Sequence, residues 1–242
     1  MLKVNGRHVT GVIFDIDGTL VDSFSTLATV FNQGISHFNL KPVSFEFLVE
    51  RFKKNLSLGE ILREIGAPTV DESVVKNLQK EILRLFLEVE ASEVKPFPGV
   101  PELFRKLRDR GMKIGIATGR TSPPENEWTR FKRFGLDRFI DALVTSREVE
   151  KRKPAPDAIL LCALRLSLPV EECLVVGDTE FDVLAAKEAG AMVAAISSGM
   201  DDAELLRKSD PELLFKDIRE LSSFVDDHFD VPDAPWSQEV IR

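Results

Sequence analysis

Short apolar runs recur along the chain, each followed by small or polar residues and then by a helical pattern. The runs are Val12-Ile13-Phe14, Ile114-Gly115-Ile116-Ala117, Ala142-Leu143-Val144, Leu174-Val175-Val176, Val193-Ala194-Ala195-Ile196 and, more weakly, Leu213-Leu214-Phe215. None alternates apolar with polar, so they predict strands buried on both faces, as in a parallel sheet. Between them, residues 100–110 carry Val100, Leu103, Phe104 and Leu107 before Gly111, a helix with a glycine at its end. Ser122-Pro123-Pro124-Glu125 has the spacing of a capping box with proline at the first helical position. Residues 181–189 predict a helix with Val183, Leu184 and Ala185 on one side, ending at Gly190. Strands that alternate with helices define βαβ units. The expected fold class is therefore α/β: an open, mostly parallel sheet with helices on both faces, a Rossmann-like core.

Residues 25–92 break this rhythm, with helical patterns around 25–38, 44–54, 58–65 and 72–91 and no convincing strand. In the last of these, Val75, Leu78, Ile82, Leu85 and Val89 recur at spacings of three and four, and Asp71 is the expected N-cap. Lys95-Pro96-Phe97-Pro98-Gly99 reads as the return to the sheet. The expected organisation is a catalytic core of residues 1–22 and 95–225, an inserted all-helical cap of 23–94, and a C-terminal extension of 226–242.

Charge and composition narrow the function. With 32 Lys and Arg against 40 Asp and Glu, the net charge of −8 argues against a sequence-general grip on nucleic acid. No stretch is long and apolar enough for a membrane helix, and the first apolar run meets carboxylates at once, unlike a secretory signal. Cys162 and Cys173 make no disulfide framework, and His8, His37 and His228 are too scattered to suggest zinc. A soluble, cytoplasmic protein, monomer or homodimer, is expected.

In an open α/β sheet, ligands bind beyond the carboxyl ends of the strands. There the chain offers Asp15 and Asp17 in Asp15-Ile16-Asp17-Gly18-Thr19-Leu20, then Thr118-Gly119-Arg120, then Lys151-Arg152-Lys153-Pro154, then Gly177-Asp178-Thr179-Glu180-Phe181-Asp182. Hard carboxylate oxygens suit Mg²⁺, and a carboxylate can serve as a nucleophile. Gly18, Thr118 and Gly119 offer donors to phosphoryl oxygens, and Lys153 a compact positive charge. Positioning and charge neutralisation are most of what phosphoryl transfer requires.

Asp15-Ile16-Asp17-Gly18-Thr19-Leu20-Val21-Asp22-Ser23, Thr118, Lys153 in Lys-Pro-Ala-Pro-Asp, and Gly177-Asp178 with Asp182 resemble, in order, the motifs of the haloacid dehalogenase-like phosphatases. The inserted helices resemble the small cap of the phosphoglycolate phosphatase-like branch. The resemblance implies Asp15 as nucleophile and Asp17 as general acid and then general base. It implies Mg²⁺ held by the Asp15 side chain, the Asp17 carbonyl and Asp178, with Asp182 a direct or water-mediated ligand. Thr118 and Lys153 would hold the phosphoryl group of a small phosphorylated metabolite: phosphoglycolate, a sugar phosphate or a nucleotide monophosphate. A phosphomutase and a catalytically silent phosphometabolite-binding protein are the alternatives. Asp17 counts against the dehalogenating and phosphonate-cleaving branches, which lack that second Asp.

The chain departs from that branch at Gly119-Arg120, where the branch carries Asn or Ser after the threonine, and in the connection with Pro123-Pro124 and Trp128. Arg120 stands between a second phosphate or carboxylate contact and a surface role, with the surface role favoured. In the cap, Arg51 with Lys53, Lys54 and Asn55 is a candidate substrate contact, weighed against a solvated helix face.

Overall fold

The structure is a computed structural model that describes residues 2–37, 40–53, 56, 58–66, 72–92 and 94–229. In chain order come strands β1 (Leu2–Val4), β2 (Arg7–Val9) and β3 (Gly11–Phe14), then helices α1 (Ser23–Ser36), α2 (Phe45–Lys53), α3 (Leu58–Glu64), α4 (Glu72–Ser92) and α5 (Val100–Asp109). Strand β4 (Lys113–Thr118), helix α6 (Pro124–Arg133), β5 (Ala142–Thr145), α7 (Asp157–Leu166), β6 (Cys173–Gly177) and α8 (Glu180–Ala189) follow. The described chain closes with β7 (Met192–Ile196), α9 (Ala203–Lys208), β8 (Leu213–Phe215) and α10 (Ile218–His228). It divides into two compact units, Met1–Val21 with Lys95–Arg242, and Asp22–Val94.

In the first unit, six strands form one all-parallel sheet in the order β5-β4-β3-β6-β7-β8. Every apolar run of the sequence is one of these strands. From β3 the chain moves outward to β4 and β5, and it later returns to β6 and moves the other way, so the strand order reverses between β3 and β6. Register places Phe14 beside both Ile116 and Val176, which brings the residues after β3, β4 and β6 to one end of the sheet.

Both sheet faces are covered, which is why the strands are apolar throughout. On one face Ile13, Ala117, Val144 and Val175 pack with Ile159, Cys162, Val183 and Ala186 of α7 and α8. On the other, the Phe14 and Phe104 rings lie 5.2 Å apart and those of Phe215 and Phe224 5.3 Å apart, seating α5 and α10. Helix α8 exposes 44% of Leu184 while burying Val183, Ala185 and Ala186. The expected shared face of residues 183–185 therefore fails, because three consecutive helical residues spread too widely around the axis.

The hairpin of β1 and β2 was not legible as an apolar run, since each strand has three residues. At its turn Asn5-Gly6 takes positive φ at both positions, 49° and 76°, the geometry that favours this dipeptide between antiparallel strands. Ser122 does not cap α6 as its spacing suggested. Pro123 occupies the N-cap position without a side-chain bond, and Ser122 Oγ instead donates to Glu127 Oε1 at 2.5 Å.

Among the described residues the second unit's elements are the helices α1 to α4. Asp22 caps α1 by accepting from Ser25 N at 3.0 Å. Phe31, Ile35, Leu48, Ile61, Leu62 and Leu78 form its buried centre, and Val75 and Ile82 pack against it as the spacing of α4 predicted. Asp71, Lys54 and Asn55 lie outside the described residues, as does Trp236.

Candidate active site

The loop after β3 is fixed by its own backbone. Asp15 N donates to Val176 O at 2.9 Å, Gly18 N to Val21 O at 2.9 Å, and Leu20 N to Ile16 O at 2.8 Å. This turn leaves Asp15 directly at the strand end and Asp17 two residues beyond it. Asp178 follows β6 on the neighbouring strand, and Thr118 is the last residue of β4. The predicted residues meet in three groups: Lys153 with Asp15 and Asp182, Arg120 with Asp17 and Thr118, and Asp178 with Thr19 of the loop after β3.

Lys153 is the hub. Its Nζ lies 2.8 Å from Asp15 Oδ1, 2.6 Å from Asp182 Oδ1 and 2.8 Å from Ala117 O. Burial works against the ammonium charge, but the Asp15 and Asp182 carboxylates outweigh it and hold Lys153 above its ordinary range. Asp182 also accepts at Oδ2 from Thr179 N at 3.1 Å and Thr179 Oγ1 at 2.6 Å, closing a reciprocal cap at the start of α8. Both Asp182 oxygens are thus engaged by the protein.

Asp178 is wholly buried. Thr19 Oγ1 donates to its Oδ1 at 2.9 Å and Met200 N to its Oδ2 at 2.7 Å. Two glycines make room for it: a Cβ on Gly18 or on Gly199 would stand 2.1 Å from Asp178 Oδ2. Gly18 also has φ 82°, a conformation that side chains disfavour. Gly18 therefore serves the site through space and turn geometry as well as through any donor role.

Asp15 and Asp182 share one ammonium, and the buried Asp178 is bonded by neutral donors alone. The imbalance has a titration consequence. Burial, opposed by Lys153 and reinforced by Asp182 and Asp17, pushes Asp15 up to about 7. Burial, with Asp182 and Asp15 nearby, holds Asp178 well above the usual carboxylate range in spite of the Met200 and Thr19 bonds. Such a cluster is short of positive charge, the condition that a divalent cation corrects. Among the described residues no three His, Cys, Asp or Glu side chains are gathered into a preformed metal cage. The donor chemistry nonetheless fits Mg²⁺, which is bound by one or two carboxylates with water and substrate phosphate completing its shell.

Arg120 is where the sequence reading fell short. Its side chain is 14% exposed, and Nε lies 2.7 Å from Asp17 Oδ2 while Nη2 engages Asp17 Oδ1. The favoured surface role fails, and of the two readings the carboxylate contact is the one the structure shows, with Asp17 of the same chain as the carboxylate. Arg120 N also donates to Thr118 Oγ1 at 3.2 Å, and Ser146 Oγ donates to Gly119 O at 2.9 Å, fixing the loop after β4. Thr19, Met200 and Glu127 were also missed, because nothing in their spacing announces a partner.

Arg51 lies in the helical unit. There it bonds Glu64 and Glu50, with its guanidinium 3.8 Å from the Phe47 ring centroid. No helix among the described residues is long and apolar enough to cross a membrane.

The fold and this constellation define an open α/β core with buried carboxylates at its strand reversal. The chain belongs to the haloacid dehalogenase-like hydrolase family, whose model matches residues 12–196. It is 28% identical over 234 residues to a phosphoglycolate phosphatase of Salmonella typhi, with 89% of this chain and 92% of that protein covered. Its fold matches the crystal structure of a predicted phosphoglycolate phosphatase from Haemophilus somnus with TM-score 0.76 and 20% identity, covering 90% of this chain and 98% of that one. It also matches a candidate β-phosphoglucomutase from Thermotoga maritima with TM-score 0.74 and 22% identity, covering 90% and 99%.

Proposed function

We propose that this protein is a Mg²⁺-dependent phosphatase that hydrolyses small phosphorylated metabolites, with phosphoglycolate the first candidate. The observation that carries the reading is Asp15, desolvated at the strand reversal with Lys153 Nζ 2.8 Å from Oδ1. A carboxylate there has a cation beside it to receive a phosphoryl oxygen and little water to compete with its attack. The Salmonella typhi relative, named a phosphoglycolate phosphatase, supports the substrate class.

In the proposed cycle an Asp15 oxygen attacks phosphorus, the ester P–O bond breaks, and Asp17 delivers its proton to the departing oxygen. Asp17 then takes a proton from water as that water attacks the aspartyl-phosphate, releasing phosphate and restoring Asp15. Lys153, Thr118, Gly119 and Gly18 orient the phosphoryl oxygens. Asp15, the Asp17 carbonyl and Asp178 would hold Mg²⁺, which neutralises phosphoryl charge when bound. Asp182, with both oxygens already engaged, would act on it through water and through Lys153.

The test is phosphate release from p-nitrophenyl phosphate, phosphoglycolate, sugar phosphates and nucleotide monophosphates, with Mg²⁺ and with EDTA. Metal-dependent release is expected, fastest from a small ester. Absence of release from every ester with Mg²⁺ bound would overturn the phosphatase reading.

A further inference from the structure

The loop after β4 is held from the neighbouring strand. Strands β4 and β5 pair with Thr118 beside Thr145, so Ser146 comes next to Gly119 and Arg120. Ser146 Oγ lies 2.9 Å from both Gly119 O and Arg120 O, one hydroxyl proton shared between two carbonyls. Ser146 N donates to Arg120 O as well, at 3.0 Å. Ser146 is buried, so little water competes for its hydroxyl. Its own position is fixed in turn. Glu148 Oε2 accepts from Thr145 N at 2.9 Å, and Glu148 Oε1 accepts from Arg165 Nη2 of α7 at 2.8 Å.

Gly119 needs such a tie. It is exposed, a Cβ there would meet nothing within 4 Å, and glycine has the widest choice of backbone conformation. The peptide group that joins Gly119 to Arg120 is trans and planar, so its oxygen and its N–H point in opposite directions. Ser146 Oγ holds the oxygen end, and the N–H end donates to Thr118 Oγ1 at 3.2 Å. A threonine hydroxyl has one proton to give and two lone pairs to offer. The Arg120 N–H occupies one lone pair, which leaves the Thr118 proton for another acceptor. Turning this peptide would take the N–H off Thr118 and free the hydroxyl to rotate.

We infer that Ser146 is a positioning residue: through the Gly119–Arg120 peptide it sets the Thr118 hydroxyl as a donor to the phosphoryl group. The inference rests on the reading of Thr118 as a phosphoryl contact. The turn after β5 thereby serves the site through the backbone of its neighbour alone.

Phosphorus-31 NMR titration of the protein with inorganic phosphate, in the presence of Mg²⁺, reads this contact without turnover. Thr118→Ala should weaken phosphate binding by about tenfold, the scale of one hydrogen bond to a charged group. Ser146→Ala should weaken it by about 3- to 10-fold, and Ser146→Cys, a weaker donor of similar shape, by less. The Thr118→Ala, Ser146→Ala double variant should bind phosphate as Thr118→Ala does, because the serine acts only through that hydroxyl. A serine that merely supports the fold would lower the thermal midpoint and leave phosphate affinity unchanged, and that result would overturn the inference. Losses that multiply in the double variant would show Ser146 acting by another route and refute it too. If Thr118→Ala binds phosphate as the wild type does, the reading of Thr118 as a phosphoryl contact falls, and the inference with it. Should Ser146→Ala not fold, Ser146→Cys carries the same cycle with Thr118→Ala.

Discussion

The Lys153 ammonium joins Asp15 and Asp182, 2.8 Å from one carboxylate and 2.6 Å from the other. It couples the strand end that carries the proposed nucleophile to the first turn of α8, whose cap Asp182 completes. Fold and chemistry therefore share one residue. Lys153→Met should leave two buried carboxylates without their counter-charge and lower stability by about 3–5 kcal/mol. Denaturant unfolding at pH 7.5 measures this, and a loss under about 1 kcal/mol would contradict the pairing.

Asp15 gives the site a distinctive pH dependence in the absence of metal. Its ordinary value is 3.8 and burial first of all raises it to about 7 in the folded chain. Between those values the folded chain holds a proton that the unfolded chain releases, so stability falls as pH rises and the full cost stands above about 7. In EDTA, the thermal midpoint of the wild type should drop from pH 5.5 to pH 8 more steeply than that of Asp15→Asn. Asp15→Asn should be the more stable protein at pH 8 and the inactive one. Parallel pH profiles for the two would show that Asp15 does not titrate there.

Metal should reverse that cost. Mg²⁺ at 100 times its Kd would stabilise the fold by about 2.7 kcal/mol. Asp178→Asn should lose most of this gain, because Thr19 and Met200 aim that carboxylate and the substitution removes its charge. Calorimetric scans with and without Mg²⁺ decide the matter, and an unchanged gain in Asp178→Asn would remove Asp178 from the metal site.

Space around Asp178 is as constrained as its bonds. Gly199→Ala would bring a Cβ within 2.1 Å of Asp178 Oδ2, so the carboxylate must shift. The expected result is Mg²⁺ affinity weakened by about tenfold or more with the sheet intact by circular dichroism, on the scale seen when groups supporting a metal ligand are disturbed. Wild-type affinity in Gly199→Ala would contradict the tight seat.

The α/β sheet was legible because parallel strands buried on both faces leave unbroken apolar runs, as at Val12-Ile13-Phe14 and Leu174-Val175-Val176. The site was legible in outline because the chemistry sits on strand ends, where Asp15 and Asp178 follow β3 and β6 by one residue. What escaped depends on partners distant in sequence. Arg120 meets Asp17 across 103 positions, and Thr19 meets Asp178 across 159. Ser122 had the spacing of a helix cap, yet Pro123 took that position and the hydroxyl went to Glu127. The two long-range pairings follow from the sheet order, which periodicity does not encode.

The most direct test of the proposed function is to look for the phosphoryl group on Asp15. Asp17→Asn should still be phosphorylated by p-nitrophenyl phosphate, whose leaving group needs little help, but it lacks the base that clears the intermediate. Acid quench after mixing with Mg²⁺, followed by peptide mass spectrometry, should find one phosphoryl group on the peptide bearing Asp15 and none in the Asp15→Asn, Asp17→Asn double variant. A phosphoryl group on another residue, or turnover by Asp15→Asn, would contradict the account.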